Sequence, residues 1–141
     1  MRRLGAAAIA AMAAIGCAGC THPSPPAACT AIGGSASLQI TLMFGLTRPD
    51  GQPMSDAHWQ DFLARVVTPR FPDGLTVSEG MGQWRDRVTS RITHEPSRLV
   101  WIVTPDRPGL RQDIDAIRAA YRSEFAQQSV GVLAGSGCAA F

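Results

Sequence analysis

The chain has no lysine: all 13 of its basic residues are arginine. It is also poor in charge of either sign, at 17% of residues. Two of the arginines, Arg2 and Arg3, lie in a leading segment that reads as removable, and setting them aside leaves eleven Arg against eleven Asp plus Glu. A remainder of net charge near zero gives no electrostatic drive toward nucleic acid, whose binding rests on neutralised phosphates. It argues equally against adsorption to an anionic lipid surface. No Cys-x-x-Cys converges with a His pair, so no metal site is expected. Gly80-Met81-Gly82 lacks the Lys-Ser/Thr ending and the following helix of a phosphate loop. No Ser-His-Asp or Cys-His arrangement follows from spacing, since His22, His58 and His94 are each isolated. No cofactor is implied. Wholesale disorder is excluded as well, because 45% of residues are hydrophobic.

What is present begins with an export signal. Arg2-Arg3 form a basic start and Leu4 to Ile15 is an Ala-dominated apolar run, too short for a permanent membrane helix of roughly 20 residues. Ala14-Ile15-Gly16-Cys17 resembles a bacterial lipobox, which makes Cys17 the expected lipidation site with Cys20 as the alternative. An ordinary cleaved signal peptide is the competing reading. Residues 1–16 are thus assigned as signal peptide. Residues 17–37, rich in Pro, Ala, Gly and Ser, are expected to be a flexible tether between a lipid anchor and a folded domain at 38–141.

Within that domain, Leu38 to Phe44 alternates with period two and predicts a strand with one buried side. Ser55 is placed as a helix cap, Met54 and Trp59 as a hydrophobic staple, and Trp59, Phe62, Leu63, Val66 and Val67 as one apolar helix face. Pro69 predicts the helix end near Val67 or Thr68. Leu75 to Ser78 predicts a short second strand, loosened by Gly80 and Gly82, with Gln83 to Ile92 an irregular or extended arm. Glu95-Pro96-Ser97 reads as a break before Leu99 to Val103, which is apolar on both faces and therefore belongs mid-sheet. Leu110, Ile114, Ile117, Tyr121 and Phe125 mark a second helix, with Asp106 a candidate cap, and Gln128 to Leu133 predicts the last strand.

The order β-α-β-β-α-β predicts an α+β, ferredoxin-like sandwich: a four-stranded antiparallel sheet, strand order 4-1-3-2, with two helices on one face. That order makes the first and last strands antiparallel neighbours. Cys29, before the first, and Cys138, after the last, are then placed for a disulfide; two unpaired thiols are the alternative. The sheet face opposite the helices would carry Thr41, Met43, Val100, Ile102 and Leu133, too apolar for open water, and is expected to bind a ligand or a second copy of the chain.

The candidate site residues are Arg70, Glu79, Gln83, Trp84, Arg85 and Glu95. Glu79 and Glu95 flank the second and third strands, and in a hairpin the two carboxylates would approach one another or share an Arg, as acid–base work requires. Arg70 or Arg85 can hold an anion bidentately, with Trp84 as a stacking surface. The plainer reading of the same residues is an Arg–Glu network that pins a β-arm to the domain.

Several runs together resemble one family. They are F-G-L-T-R-P-D-G at 44–51, W-Q-D-F-L at 59–63, V-V-T-P-R-F-P-D-G-L-T-V at 66–77 and G-Q-W-R-D at 82–86, with E-P-S at 95–97, I-R-A-A-Y at 117–121 and the closing Cys-Ala-Ala-Phe. The chain is similar to the bacterial domain of unknown function 3574 over roughly Leu38 to Phe141. The resemblance implies small exported or lipid-anchored proteins and carries no catalytic residues. The expectation is a cell-envelope lipoprotein acting as a ligand- or protein-binding module, with a small envelope enzyme built on Glu79 or Glu95, Arg70 and Arg85 as the alternative.

Overall fold

The alternating run at 38–44 lies inside a longer strand, β1 (Ser35–Gly45), in a computed structural model that describes residues 27–86 and 89–141. The export signal, Cys17, Cys20 and the first part of the tether lie outside the described residues. The tether's remainder does not stay extended: Ala27–Ala31 form a short helix, α1, which buries Cys29. Cys29 is bonded to Cys138 with the Cα atoms 4.9 Å apart. That bond fixes the segment to the last strand, which is why folded structure starts before residue 38.

Ile40, Leu42 and Phe44 of β1 are buried, as the alternation requires. After β1, Ser55 caps α2 (Asp56–Phe62), accepting a hydrogen bond from the His58 N–H at 3.3 Å. Met54 and Trp59 are both buried in the core, as a staple places them. The helix does not stop at Pro69. It widens into a π turn (Leu63–Val67), where the Thr68 N–H reaches the Leu63 carbonyl, and then tightens into a 3₁₀ turn (Thr68–Arg70). Proline stands at the start of that last turn, a position that asks no N–H of it. The expected stop near 67 or 68 is therefore moved to Arg70.

The second strand, β2, runs Thr76–Arg85 without interruption and pairs with β3 (Ile92–Thr104) along its whole length. The expected loosening at Gly80 and Gly82 is replaced by regular strand, and of the irregular and extended alternatives for the arm the extended one holds for Gln83–Arg85 and Ile92. Gly80 makes room instead of loosening the chain: a Cβ there would come within 2.8 Å of the Leu99 side chain. Pro96 is likewise inside β3. Its carbonyl accepts from the Leu46 N–H at 2.9 Å, so its missing N–H faces the side that β1 has already left at Gly45. A proline costs no ladder bond there.

Helix α3 (Leu110–Phe125) starts at Gly109, in the left-handed region at φ 83°, and Asp106 takes no part in the cap. The last strand, β4 (Gly131–Ala139), begins later and runs further than the expected 128–133. Its Gly-Ser-Gly composition carries no readable period, yet it pairs with β1 from Met43↔Gly131 to Ser35↔Ala139.

The architecture is mixed α+β: one antiparallel sheet in the order β2-β3-β1-β4, with β3, holding Leu99 to Val103, in the interior. This is the expected strand order read from the other edge. The core is one cluster between the sheet and the helices. Phe44 lies at its centre, edge-on to Trp59 at 5.3 Å and to Tyr121 at 4.7 Å between ring centroids.

The sheet's second face is corrected in part. Thr41, Met43 and Leu133 lie on it with Trp101, but Val100 and Ile102 are buried on the helix side. The alternation in β3 starts one residue out of phase with the expected assignment, because an all-apolar run does not announce which face each residue takes.

Candidate functional site

β1 stops at Gly45, opposite Ser97, while β2 and β3 continue to the Arg85↔Ile92 pair. The hairpin therefore projects past the sheet, and a cleft of about 730 Å³ opens beside it. Its walls are the hairpin, the loop after β1 (47–51) and the loop after α3 (126–129). Topology brings these together: the end of β1, the hairpin tip and the start of β4 all fall at one edge of the fold.

Glu95 is the carboxylate in this cleft. Its side chain lies flat over Gly45, where a Cβ would sit 2.7 Å from either carboxylate oxygen. The Thr47 N–H donates to Oε2 at 3.3 Å, and the Thr47 carbonyl accepts from Gln127 Nε2 at 2.7 Å. One backbone unit thus ties the carboxylate on β3 to the loop after α3. Beneath it, the Tyr121 hydroxyl donates to the Gly45 carbonyl at 2.7 Å. Burial, and after it the negative charge of Glu95, push that hydroxyl's pKa well above its ordinary value. Tyr121 stays protonated and serves as a strut under Gly45.

Apart from Arg48, the rest of the lining is apolar or neutral, with Met43 and Leu99 on the sheet, Trp84 on the hairpin, and the amides Gln83 and Gln127. Arg48 also lines the cleft, but its guanidinium lies over the Phe125 ring, 6.0 Å from the centroid. Its Nε is buried without a hydrogen-bond partner among the described residues.

Of the six candidates, Gln83, Trp84 and Glu95 come together here and the other three do not. Glu79 pairs with Arg98 across the hairpin, whereas Glu95 pairs with Gly82. Those register positions put the two carboxylates on opposite faces of the sheet, so they do not approach each other or share an Arg. Arg98 binds Glu79 and, at 3.0 Å, Asp56 at the start of α2. Arg70 donates to the Val66 carbonyl at 2.6 Å and lies 3.8 Å from Asp113, which Arg107 holds at 2.7 Å. It lines a separate pocket of about 420 Å³ with Arg107 and Phe71, away from Trp84. Arg85 ends β2, exposed and outside the cleft wall. The carboxylate pair and the Arg70–Trp84 clamp are both corrected by these positions.

Met43 was expected on the open, ligand-binding face and does line the cleft, whereas Gly45, Thr47, Arg48 and Gln127 were not anticipated from the sequence. Topology held a usable signal, because the predicted strand order already places the loops after β1 and α3 at the hairpin end.

A four-stranded α+β domain with a cleft at one sheet end is the class that fold and site define. The chain belongs to the family DUF3574, proteins of unknown function, matched over residues 39–141. Comparison with curated proteins returns no match. Among solved structures, the fold is similar to a phage SAM lyase in complex with S-methyl-5'-thioadenosine, with TM-score 0.58 and 15% identity over 73% of this chain and 88% of that one. A phage SAM lyase in the apo state is similar at TM-score 0.52 and 19% identity, over 74% of this chain and 82% of that one. At these identities the likeness is one of fold.

Proposed function

We propose that this domain is a ligand-binding module of ferredoxin-like topology, carried in the cell envelope on a lipid at Cys17, or at Cys20, and binding a small molecule in the cleft at the hairpin end. The cleft carries the reading: it is concave, largely apolar, and contains a carboxylate whose position is fixed by Thr47 and Gly45. The export motif and the Cys29–Cys138 bond support the envelope, where disulfides persist. Native mass spectrometry of the purified, processed protein tests both halves. It is expected to find an acyl group on the N-terminal Cys and a bound small molecule that Glu95→Gln or Trp84→Ala removes.

A second reading narrows the ligand to a nucleoside thioether, because a chain of similar fold binds S-methyl-5'-thioadenosine. Titration with that compound decides it. An enzyme acting in this cleft would have to work with Glu95 and without Glu79, Arg70 or Arg85. The open sheet face, with Trp101 57% and Leu133 65% exposed, is the surface through which a second copy would pair. Sedimentation of wild type against Trp101→Glu reads that out.

A further inference from the structure

We propose that the cleft recognises an organic cation, an ammonium or sulfonium centre on an apolar body, held between the Glu95 carboxylate and the Trp84 ring. The inference rests on the cleft being the binding site and names its ligand class. Trp84 pairs with Thr93 and Glu95 with Gly82, which makes ring and carboxylate diagonal neighbours on one sheet face, about 7 Å apart at Cβ. Both line the cleft, and Trp84 is exposed at 38%. Gly82, opposite Glu95 and two residues before Trp84, contributes no side chain, so its corner of that diagonal is open to a ligand, with Thr93 at the other corner.

The charge balance favours a cation. Glu95 and Arg48 are the charged residues of the lining. The Arg48 guanidinium is turned onto Phe125, which does not line the cleft. Glu95 accepts one backbone N–H and, among the described residues, has no ion-pair partner. A carboxylate fixed in this way beside Met43 and Leu99 attracts a positive centre more strongly than it would in open water. Trp is the best ring for a cation, and quaternary ammonium groups are recognised by such aromatic faces. A weakly hydrated cation with methyl or methylene groups suits Met43, Leu99 and Trp84 better than a metal ion, which would need several oxygen ligands.

The test titrates choline and neohexyl alcohol, its uncharged carbon isostere, into the isotope-labelled folded domain and follows backbone amides together with the Trp84 indole N–H. Choline is expected to bind about tenfold more tightly than the alcohol, with shifts at Thr47, Gly82, Trp84 and Glu95. Glu95→Gln keeps an acceptor for the Thr47 N–H and is expected to cut the preference to about twofold, the share that the Trp84 ring supplies. Gly82→Ala is expected to fold, since its methyl would find no heavy atom nearer than 3.6 Å, and to weaken choline by filling the gap. Equal affinities in the wild type, or a choline preference that survives Glu95→Gln undiminished, overturns the proposal. If both probes shift cleft residues equally, the cleft remains a binding site and the cation is wrong. If choline, the alcohol and S-methyl-5'-thioadenosine all leave the cleft amides unmoved, both readings fall.

Discussion

Successive residues of β1 sit on two faces of one sheet and do opposite jobs. Phe44 is fully buried among Trp59, Phe62 and Tyr121, while its neighbour Met43 is 41% exposed on the cleft wall. On the helix side, apolar volume decides everything, and a side chain is valued for filling space. Toward the hairpin end of the open side, Gly45 and Gly82 carry no side chain, which leaves space that Glu95 and a ligand can use, while Gly80 makes room for Leu99. A strand can thus hold a domain together with one face and carry a site with the other. The comparison implies that the two faces are separable by mutation.

The largest break in that comparison is expected from Phe44→Ala, which should cost about 3–5 kcal/mol of stability. Met43→Ala, one residue away, should stay within about 0.5 kcal/mol while changing the cleft. Denaturant unfolding of the two variants side by side measures the contrast. Next in size is the Cys29–Cys138 bond, which spans 109 residues of sequence. Replacing both cysteines by Ala should lower stability by up to about 4 kcal/mol in the chain-entropy account, read as a fall in Tm that reductant reproduces in the wild type.

Tyr121→Phe comes third. It removes the hydrogen bond to the Gly45 carbonyl, a loss of about 1 kcal/mol. It should also change the alkaline limb. The Tyr121 pKa is raised on folding, so its stabilising contribution is complete below the ordinary value of 10 and is lost as pH climbs above it. Stability against pH should therefore fall more steeply above pH 10 in wild type than in Tyr121→Phe. The smallest effect on stability and the most selective one is expected from Glu95→Gln, which should leave Tm nearly unchanged and take away most of the preference for choline over its alcohol isostere.

Much of the helix-covered face was readable from the chain. Alternation at Leu38 to Phe44, the apolar run at Leu99 to Val103 and the stripe Ile114, Ile117, Tyr121 are direct consequences of burial, and they placed strands, helices and strand order together. The same order put Cys29 beside Cys138. The open side was harder to read because its key residues are the ones normally taken for punctuation. Gly80, Gly82 and Pro96 look like breaks and turn out to be strand residues whose small size or missing N–H suits a local neighbour. Whether Glu79 and Glu95 meet depended on hairpin register, which a glycine-rich strand does not encode in its own pattern. Three of the six candidate residues reached the cleft, because the hairpin itself supplies them. Thr47 and Gln127 were invisible because they act through loop geometry and not through residue type.

Where ligands land on the domain is the decisive measurement. Amide-shift mapping of the labelled domain against a mixture of cationic, anionic and neutral aromatic fragments should move Met43, Thr47, Gln83, Trp84, Glu95 and Gln127 together. Shifts gathered instead around Arg70, Arg107 and Asp113, with the hairpin-end residues silent, would contradict it.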